Sequence, residues 1–239
     1  MTPNIPVILL PGLASDAALW RDQGPALRDA GYLVHVTDAH TRADTLTGMA
    51  RVLLQDHEGP LVLVGTSMGG ILALEVFRQA PQRVAALALL GSNARPDTPH
   101  MIRLRSAAVQ AFEQGRVDDI LRANLPFVFH ASRQDDQTLV SDYFQMIHRA
   151  GVAQLIRQNR AIMARPDSRA LLPRLRCPVL LACGDADALT PPECSQEMAA
   201  AVPQAEFHQL AECGHLLTWE RPLEVNALLL DWLARLAPR

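Results

Sequence analysis

Apolar and polar positions along the chain follow two rhythms. Short unbroken apolar runs, the mark of strands buried on both faces, occupy residues 6–10, 61–64, 84–90 and 178–182, with a further strand at 32–36 and a last one around 206–210. Between them apolar residues recur at helical spacing. One predicted helix runs from Asp16 through Trp20, Leu27 and Ala30 to a stop at Gly31. Others cover residues 46–56, 71–77, 193–201 and 222–236. Five or six strands alternating with helices predict an α/β protein, a parallel sheet with helices on both faces.

The alternation stops between residue 96 and about 172, where only helical patterns are found. Leu104, Ala108, Ala111 and Phe112 share one helical face, as do Val152, Leu155, Ile156, Asn159 and Met163. Gly115, Pro126, Gly151 and Pro166 divide the stretch into three or four helices. The expected organisation is therefore a core of residues 1–95 and 171–239 with a helical cap inserted at 96–170. In parallel sheets ligands bind beyond the carboxyl ends of the strands, near the reversal of strand order. The loops at Gly12-Leu13, Ser67 and Gly91-Ser92 all follow strands, so they should share one rim, and the insertion leaves from that rim as a lid.

The strand at 61–64 leads into Gly65-Thr66-Ser67-Met68-Gly69-Gly70, and a helical stretch leaves it. Strand, tight glycine-flanked turn and helix is the context in which G-x-S-x-G holds an exposed, strained serine. Ser67 is thus the candidate nucleophile. A serine needs a base, and the base needs an orienting carboxylate. His215, in Cys213-Gly214-His215, follows the last strand and can supply the base from the same rim. The carboxylate should follow the fifth strand, at Gly184-Asp185-Ala186-Asp187. Spacing alone leaves both aspartates open: Asp185 suits bonding of the turn backbone, and Asp187 reaches further toward His215. The oxyanion of acyl transfer needs preorganised donors. The backbone N–H groups of Met68, at the helix start, and Leu13, beside Gly12, are the candidates.

Composition narrows the partners rather than the chemistry. The 239 residues carry a formal net charge of −3, so nothing argues for nucleic acid or an anionic membrane as partner. All 22 basic residues are arginines, which reads most simply as genomic composition bias. There is no apolar run long enough for a membrane span and no signal-peptide pattern at the start, so a cytoplasmic protein is expected. Cys177, Cys183, Cys194 and Cys213 have no metal-ligand spacing and should be reduced, mostly buried thiols. No metal and no cofactor are expected.

Taken together the chain resembles the α/β-hydrolase superfamily over nearly its whole length. The resemblance rests on Leu10-Pro11-Gly12-Leu13, Gly65-Thr66-Ser67-Met68-Gly69-Gly70, Pro81-Gln82-Arg83-Val84, Gly184-Asp185-Ala186-Asp187, Gly214-His215 and Glu220-Arg221-Pro222. It implies the catalytic set Ser67, Asp187 and His215, with Leu13 and Met68 as oxyanion donors. It also implies an α/β-hydrolase fold with about six mainly parallel strands, since the first strand begins too early to leave room for two further antiparallel ones. Pro11 departs from the histidine that many members carry before the glycine. Serine at position 67, rather than aspartate, argues against haloalkane dehalogenases and epoxide hydrolases. The implied activity is a serine carboxylesterase working through an acyl-enzyme on small to medium acyl or aromatic esters. Thioester or carrier-linked methyl ester hydrolysis, enol-lactone hydrolysis and C–C bond hydrolysis are the alternatives, with a non-catalytic ligand sensor the remote one. Phe127, Phe129, Met146, Leu216 and Trp219 are the leading candidates to line an apolar substrate pocket, with Met101, Phe112 and Ile162 as further possibilities. Residues 96–170 hold ten arginines and eight acidic residues, and one or two of those arginines are candidates to dock a carrier protein or a carboxylate-bearing substrate.

Overall fold

The structure, a computed structural model, describes residues 5–236. Its centre is a six-stranded sheet of β1 (Val7–Leu10), β2 (Val34–Val36), β3 (Leu61–Thr66), β4 (Val84–Leu90), β5 (Val179–Gly184) and β6 (Ala205–Leu210), in the order β2-β1-β3-β4-β5-β6. Every neighbouring pair is parallel. The chain moves outward from β1 to β2, then returns across β1 to lay down β3. Strand order therefore reverses between β1 and β3, and Leu10 pairs with Gly65 at that boundary. The loop carrying Leu13 and the turn carrying Ser67 leave these two strands at adjacent carboxyl ends, where such sheets bind ligands.

Alternating strand side chains feed two cores. Ile8, Leu10, Leu63, Leu87, Leu89 and Leu181 pack against α2 (Leu46–Asp56) and α3 (Met68–Gln79) on one face. Val7, Leu9, Val62, Val64, Ala88 and Leu180 pack on the other face, against α1 (Gln23–Asp29) and the C-terminal helix over Pro222–Leu236. Because both faces are covered, the central strands read as continuous apolar runs rather than as alternation.

The predicted helix after Asp16 is broken in two. A 3-10 turn, Ala17–Trp20, is capped by Asp16 Oδ1 accepting from the Ala18 N–H at 2.8 Å, and α1 starts afresh at Gln23. Pro25 sits in the first turn of α1, where its missing N–H is harmless, but it could not continue a helix arriving from Trp20.

Between β4 and β5 lie α4 (Pro99–Glu113), α5 (Val117–Val128) and α6 (Gln137–Met163). Gly151, at φ 79°, ψ 163°, breaks the ladder inside α6 and kinks it. Pro126 lies in the last turn of α5 without ending it. Leu104, expected on the buried face of α4, is 58% exposed, whereas Ala111 and Phe112 are buried. The 3.6-residue period gives direction, but only the half of α4 covered by neighbours buries that stripe. Past these helices come α7 (Pro192–Ala201), the short α8 (Leu217–Glu220) and α9 (Pro222–Leu236). No described helix is long and apolar enough to cross a membrane.

Candidate active site

Ser67 stands between β3 and α3 with φ 52° and ψ −119°, a strained conformation for a residue with a side chain. The surrounding backbone forces it. A Cβ on Gly69 would run into the Leu10 carbonyl, and one on Gly65 into the backbone of Gly69 and Gly70. Packing this close places the start of α3 directly against β1 and β3, which side chains would prevent. The turn is then fixed by hydrogen bonds. Ser67 N–H donates to Leu90 O at 2.9 Å, and the Ser92 hydroxyl donates to Ser67 O at 2.8 Å.

The three separated residues meet. Ser67 Oγ donates to His215 Nε2 at 2.9 Å, and His215 Nδ1–H donates to Asp187 Oδ2 at 2.9 Å. The Asp187 side chain is fully enclosed and the His215 ring nearly so. Asp187 also accepts from the N–H groups of Leu189 (2.9 Å) and Thr190 (2.8 Å) and from the Thr190 hydroxyl (2.7 Å). Burial pushes its carboxyl up, but the charge and hydrogen bond of His215 and the Thr190 bonds outweigh that, holding it below the usual carboxylate range. For His215, burial works against the charged form. The Asp187 charge and hydrogen bond, with help from Glu220, prevail and raise its pKa above the ordinary histidine value.

Asp185 takes the other part. Its carboxylate accepts from the backbone N–H groups of Glu212 and Cys213, both at 3.0 Å, and so ties the exit of β5 to the loop that carries His215. Burial raises its pKa, and these backbone bonds reverse the shift to a net lowering.

The two candidate oxyanion donors, Leu13 and Met68, directly follow Gly12 and Ser67 in the chain. Gly12 lies against Ser67, since a Cβ there would sit 3.5 Å from Ser67 Cβ. The N–H of Leu13 and that of Met68, the first residue of α3, have no protein acceptor among the described residues. A free N–H at a helix start favours negative charge.

Several supporting residues give no periodic or motif signal. Ala14, at φ 51°, donates its N–H to Oε1 of the fully buried Gln158 at 2.6 Å. Gln158 and Gln154 of α6 both donate to His40 O, and His40 Nε2–H donates to Ser15 O at 2.8 Å. Burial lowers the His40 pKa and keeps that ring neutral. Glu220 accepts from His130 N–H at 2.8 Å and Gly214 N–H at 3.1 Å. His215 N–H donates to Val128 O at 2.8 Å. The insertion is thus hydrogen-bonded to both the Leu13 loop and the His215 loop. Of these residues only Glu220 lay in a recognisable segment, Glu220-Arg221-Pro222.

The expected pocket residues divide. Phe129, Met146, Leu216 and Trp219 are buried in one cluster with Phe112 and Tyr143. Phe129 meets the Tyr143 ring edge-on at 5.7 Å, and Trp219 Nε1–H donates to Ala18 O at 3.0 Å. Phe127 differs from expectation: it is 49% exposed, because α5 turns Leu121 and Val128 inward and places position 127 off that face. Two surface cavities lie away from Ser67. One of about 420 Å³ is lined by Arg122, Leu125, Val140 and Phe144, and one of about 100 Å³ is lined by Arg21, Asp142, Arg149 and Trp219. Among the described residues no three His, Cys, Asp or Glu side chains converge to hold a metal ion. Cys183, Cys194 and Cys213 are buried free thiols.

Known proteins match the chain over most of its length. The curated "Putative carbamate hydrolase RutD" of Yersinia enterocolitica is 27% identical, covering 95% of this chain and 86% of that protein. A thermophilic esterase from Thermogutta terrifontis, solved with malate bound, superposes with a TM-score of 0.88 at 29% identity, covering 98% and 91% of the two chains. An enol-lactonase from Burkholderia xenovorans shares the fold at a TM-score of 0.85 and 21% identity, covering 96% and 91%. A sequence profile of the alpha/beta hydrolase family matches residues 7–228. With the six-stranded parallel sheet and the serine turn at its switch point, this match establishes that the chain belongs to the alpha/beta hydrolase family.

Proposed function

We propose that the protein is a serine hydrolase of carboxylic esters working through an acyl-enzyme. The reading rests on one observation: an unbroken relay from Ser67 Oγ through His215 to Asp187, with two hydrogen bonds of 2.9 Å.

Ser67 Oγ attacks the ester carbonyl as His215 Nε2 takes its proton. Asp187 holds the imidazole with Nδ1 protonated, so that Nε2 is free to act as base, and stabilises the imidazolium that forms. The N–H groups of Leu13 and Met68 receive the oxyanion, where each preorganised donor contributes about 3 kcal/mol of transition-state stabilisation. The imidazolium then protonates the leaving alcohol. Water, activated by the same His215, attacks the acyl-serine and regenerates the enzyme. Residues 96–170 act as the cap over this rim, and its bonds from Gln158 and Val128 hold the two loops that the reaction uses.

The esterase relative supports the ester assignment. The curated relatives named for carbamate hydrolysis keep a carbamate substrate as the second reading, since the same attack on a carbamate carbonyl leaves a carbamoyl-serine. Intact-mass labelling with a fluorophosphonate should add one phosphonyl group, lost in Ser67→Ala. A series of p-nitrophenyl esters and carbamates should be turned over by the wild type, esters faster, and by Ser67→Ala at a rate lower by about 10⁴-fold or more. An unlabelled, folded wild type, or undiminished turnover by Ser67→Ala, would refute the mechanism.

A further inference from the structure

Within the insertion lies a cluster in which one carboxylate serves two guanidinium groups. The Asp97 side chain is completely enclosed, with Arg165 Nη1 at 2.7 Å from Oδ1 and Arg105 Nε at 2.8 Å from Oδ2. Arg165 is itself 2% exposed, and its remaining contacts go to the carbonyls of Arg95 and Ile162. Arg105 donates from Nη1 to Asn159 Oδ1 at 3.0 Å, and Asn159 is oriented by its own bond to Leu155 O. Two cations and one anion leave one positive charge unmatched among these side chains, and an anion brought by a ligand can pair with it. Three other insertion arginines are matched one to one: Arg116 with Asp119, Arg133 with Asp136, Arg160 with Glu113.

The surplus falls on Arg105. Arg165 is spent on Asp97 and two carbonyls, whereas Arg105 is 29% exposed and its Nη2 has no protein acceptor among the described residues. Nε and Nη1 each make one bond, which leaves Nη2 and the second Nη1 hydrogen to donate to a carboxylate. The segments that carry its anchors also reach the site. Asp97 follows β4 by the loop that begins at Gly91, where a Cβ would lie 3.3 Å from Asp187 Oδ2 and from His215 O. Asn159 is next to Gln158, which holds the Leu13-Ala14 loop. The Arg105 charge is also felt at His215, where it opposes protonation.

We infer that Arg105 is the anchor of a carboxylate subsite, and that the preferred substrates are esters bearing a second, free carboxylate a few bonds from the scissile carbonyl. This rests on the ester hydrolase reading above and names its substrate class.

The test compares mono-p-nitrophenyl esters of succinate, glutarate and adipate with p-nitrophenyl hexanoate. In the wild type kcat/KM for the best diacid ester should exceed that for hexanoate by about 10-fold or more. Arg105→Gln should lower that ratio by about 10-fold, mainly through KM, and Arg105→Lys should restore part of it. Arg116→Gln, on an exposed matched pair, should leave the ratio alone. Arg105→Gln should fold, because Asp97 keeps Arg165, and a thermal melt checks this. A wild-type ratio near one, or a ratio unmoved by Arg105→Gln, would overturn the subsite while leaving the esterase standing. Calorimetric binding of free glutarate gives a second readout that needs no turnover. Glutarate bound by the wild type and lost in Arg105→Gln, with no ester hydrolysed, would keep the subsite and remove the hydrolase reading. No binding and no carboxylate preference would remove the subsite.

Discussion

Asp187 and Asp185, two residues apart, divide their work by what points at them. Asp185 receives two backbone N–H groups and builds the His215 loop, while Asp187 receives the His215 ring. The Asp187–His215 pair sets the expected pH behaviour. As the base, His215 must be neutral, so kcat/KM should fall about tenfold per pH unit below its pKa in the folded enzyme. Asp187 raises that pKa above the ordinary value. The acid limb of the profile should therefore lie above about 6.5. Asp187→Asn removes the charge and favours the wrong tautomer, so kcat should drop by about 10⁴-fold, read by steady-state assays on one ester. For stability the two groups act in opposite directions. The contribution of the raised His215 is complete below about pH 6.5 and is lost as pH rises through its folded pKa. That of the lowered Asp187 is complete above about pH 4 and is lost as pH falls through its folded value.

At the scale of elements, α6 does more than cover the sheet. From one turn it sends Gln158 to the Ala14 N–H and Gln154 and Gln158 to His40 O, while its neighbour Asn159 holds Arg105. Ala14 occupies a left-handed conformation without being glycine, and Gln158 is the buried partner that keeps it there. Gln158→Leu leaves that N–H buried and unpaired, which should cost about 1–3 kcal/mol in a urea unfolding series. It should also loosen the Leu13 donor, so kcat should fall about 10- to 100-fold with KM moving less. A loss confined to stability would show that the Leu13 loop holds its own shape.

Across the whole molecule, the sheet's reversal between β1 and β3 brings the Gly12-Leu13 loop beside Ser67, and β5 and β6 deliver Asp187 and His215 to the same rim. Within the insertion, buried charge ties its start to its end, where Asp97 meets Arg165. Arg165→Met would leave the enclosed Asp97 with Arg105 alone and strip the Arg95 and Ile162 carbonyls of their donor, and thermal or denaturant unfolding should show a loss of about 1–3 kcal/mol. Such a loss, against a small one for Arg105→Gln, would separate the structural arginine from the ligand-facing one. The strands at residues 84–90 and 178–182, the helix at 46–56 and the serine turn were legible in the chain because each is dictated locally. Two-sided burial writes an unbroken apolar run, and a turn too tight for side chains writes glycines at 65 and 69. The order Ser67, Asp187, His215 was legible too, since a parallel sheet sends every strand's exit loop to one rim. Tertiary structure alone decided what depends on distant partners. It turned Phe127 outward and left Leu104 uncovered. It also gave Gln158, Thr190 and Glu220 their work and set one carboxylate against two arginines within the insertion. Burial and pairing of these groups are properties of surfaces brought together by folding, and no local period or spacing encodes them.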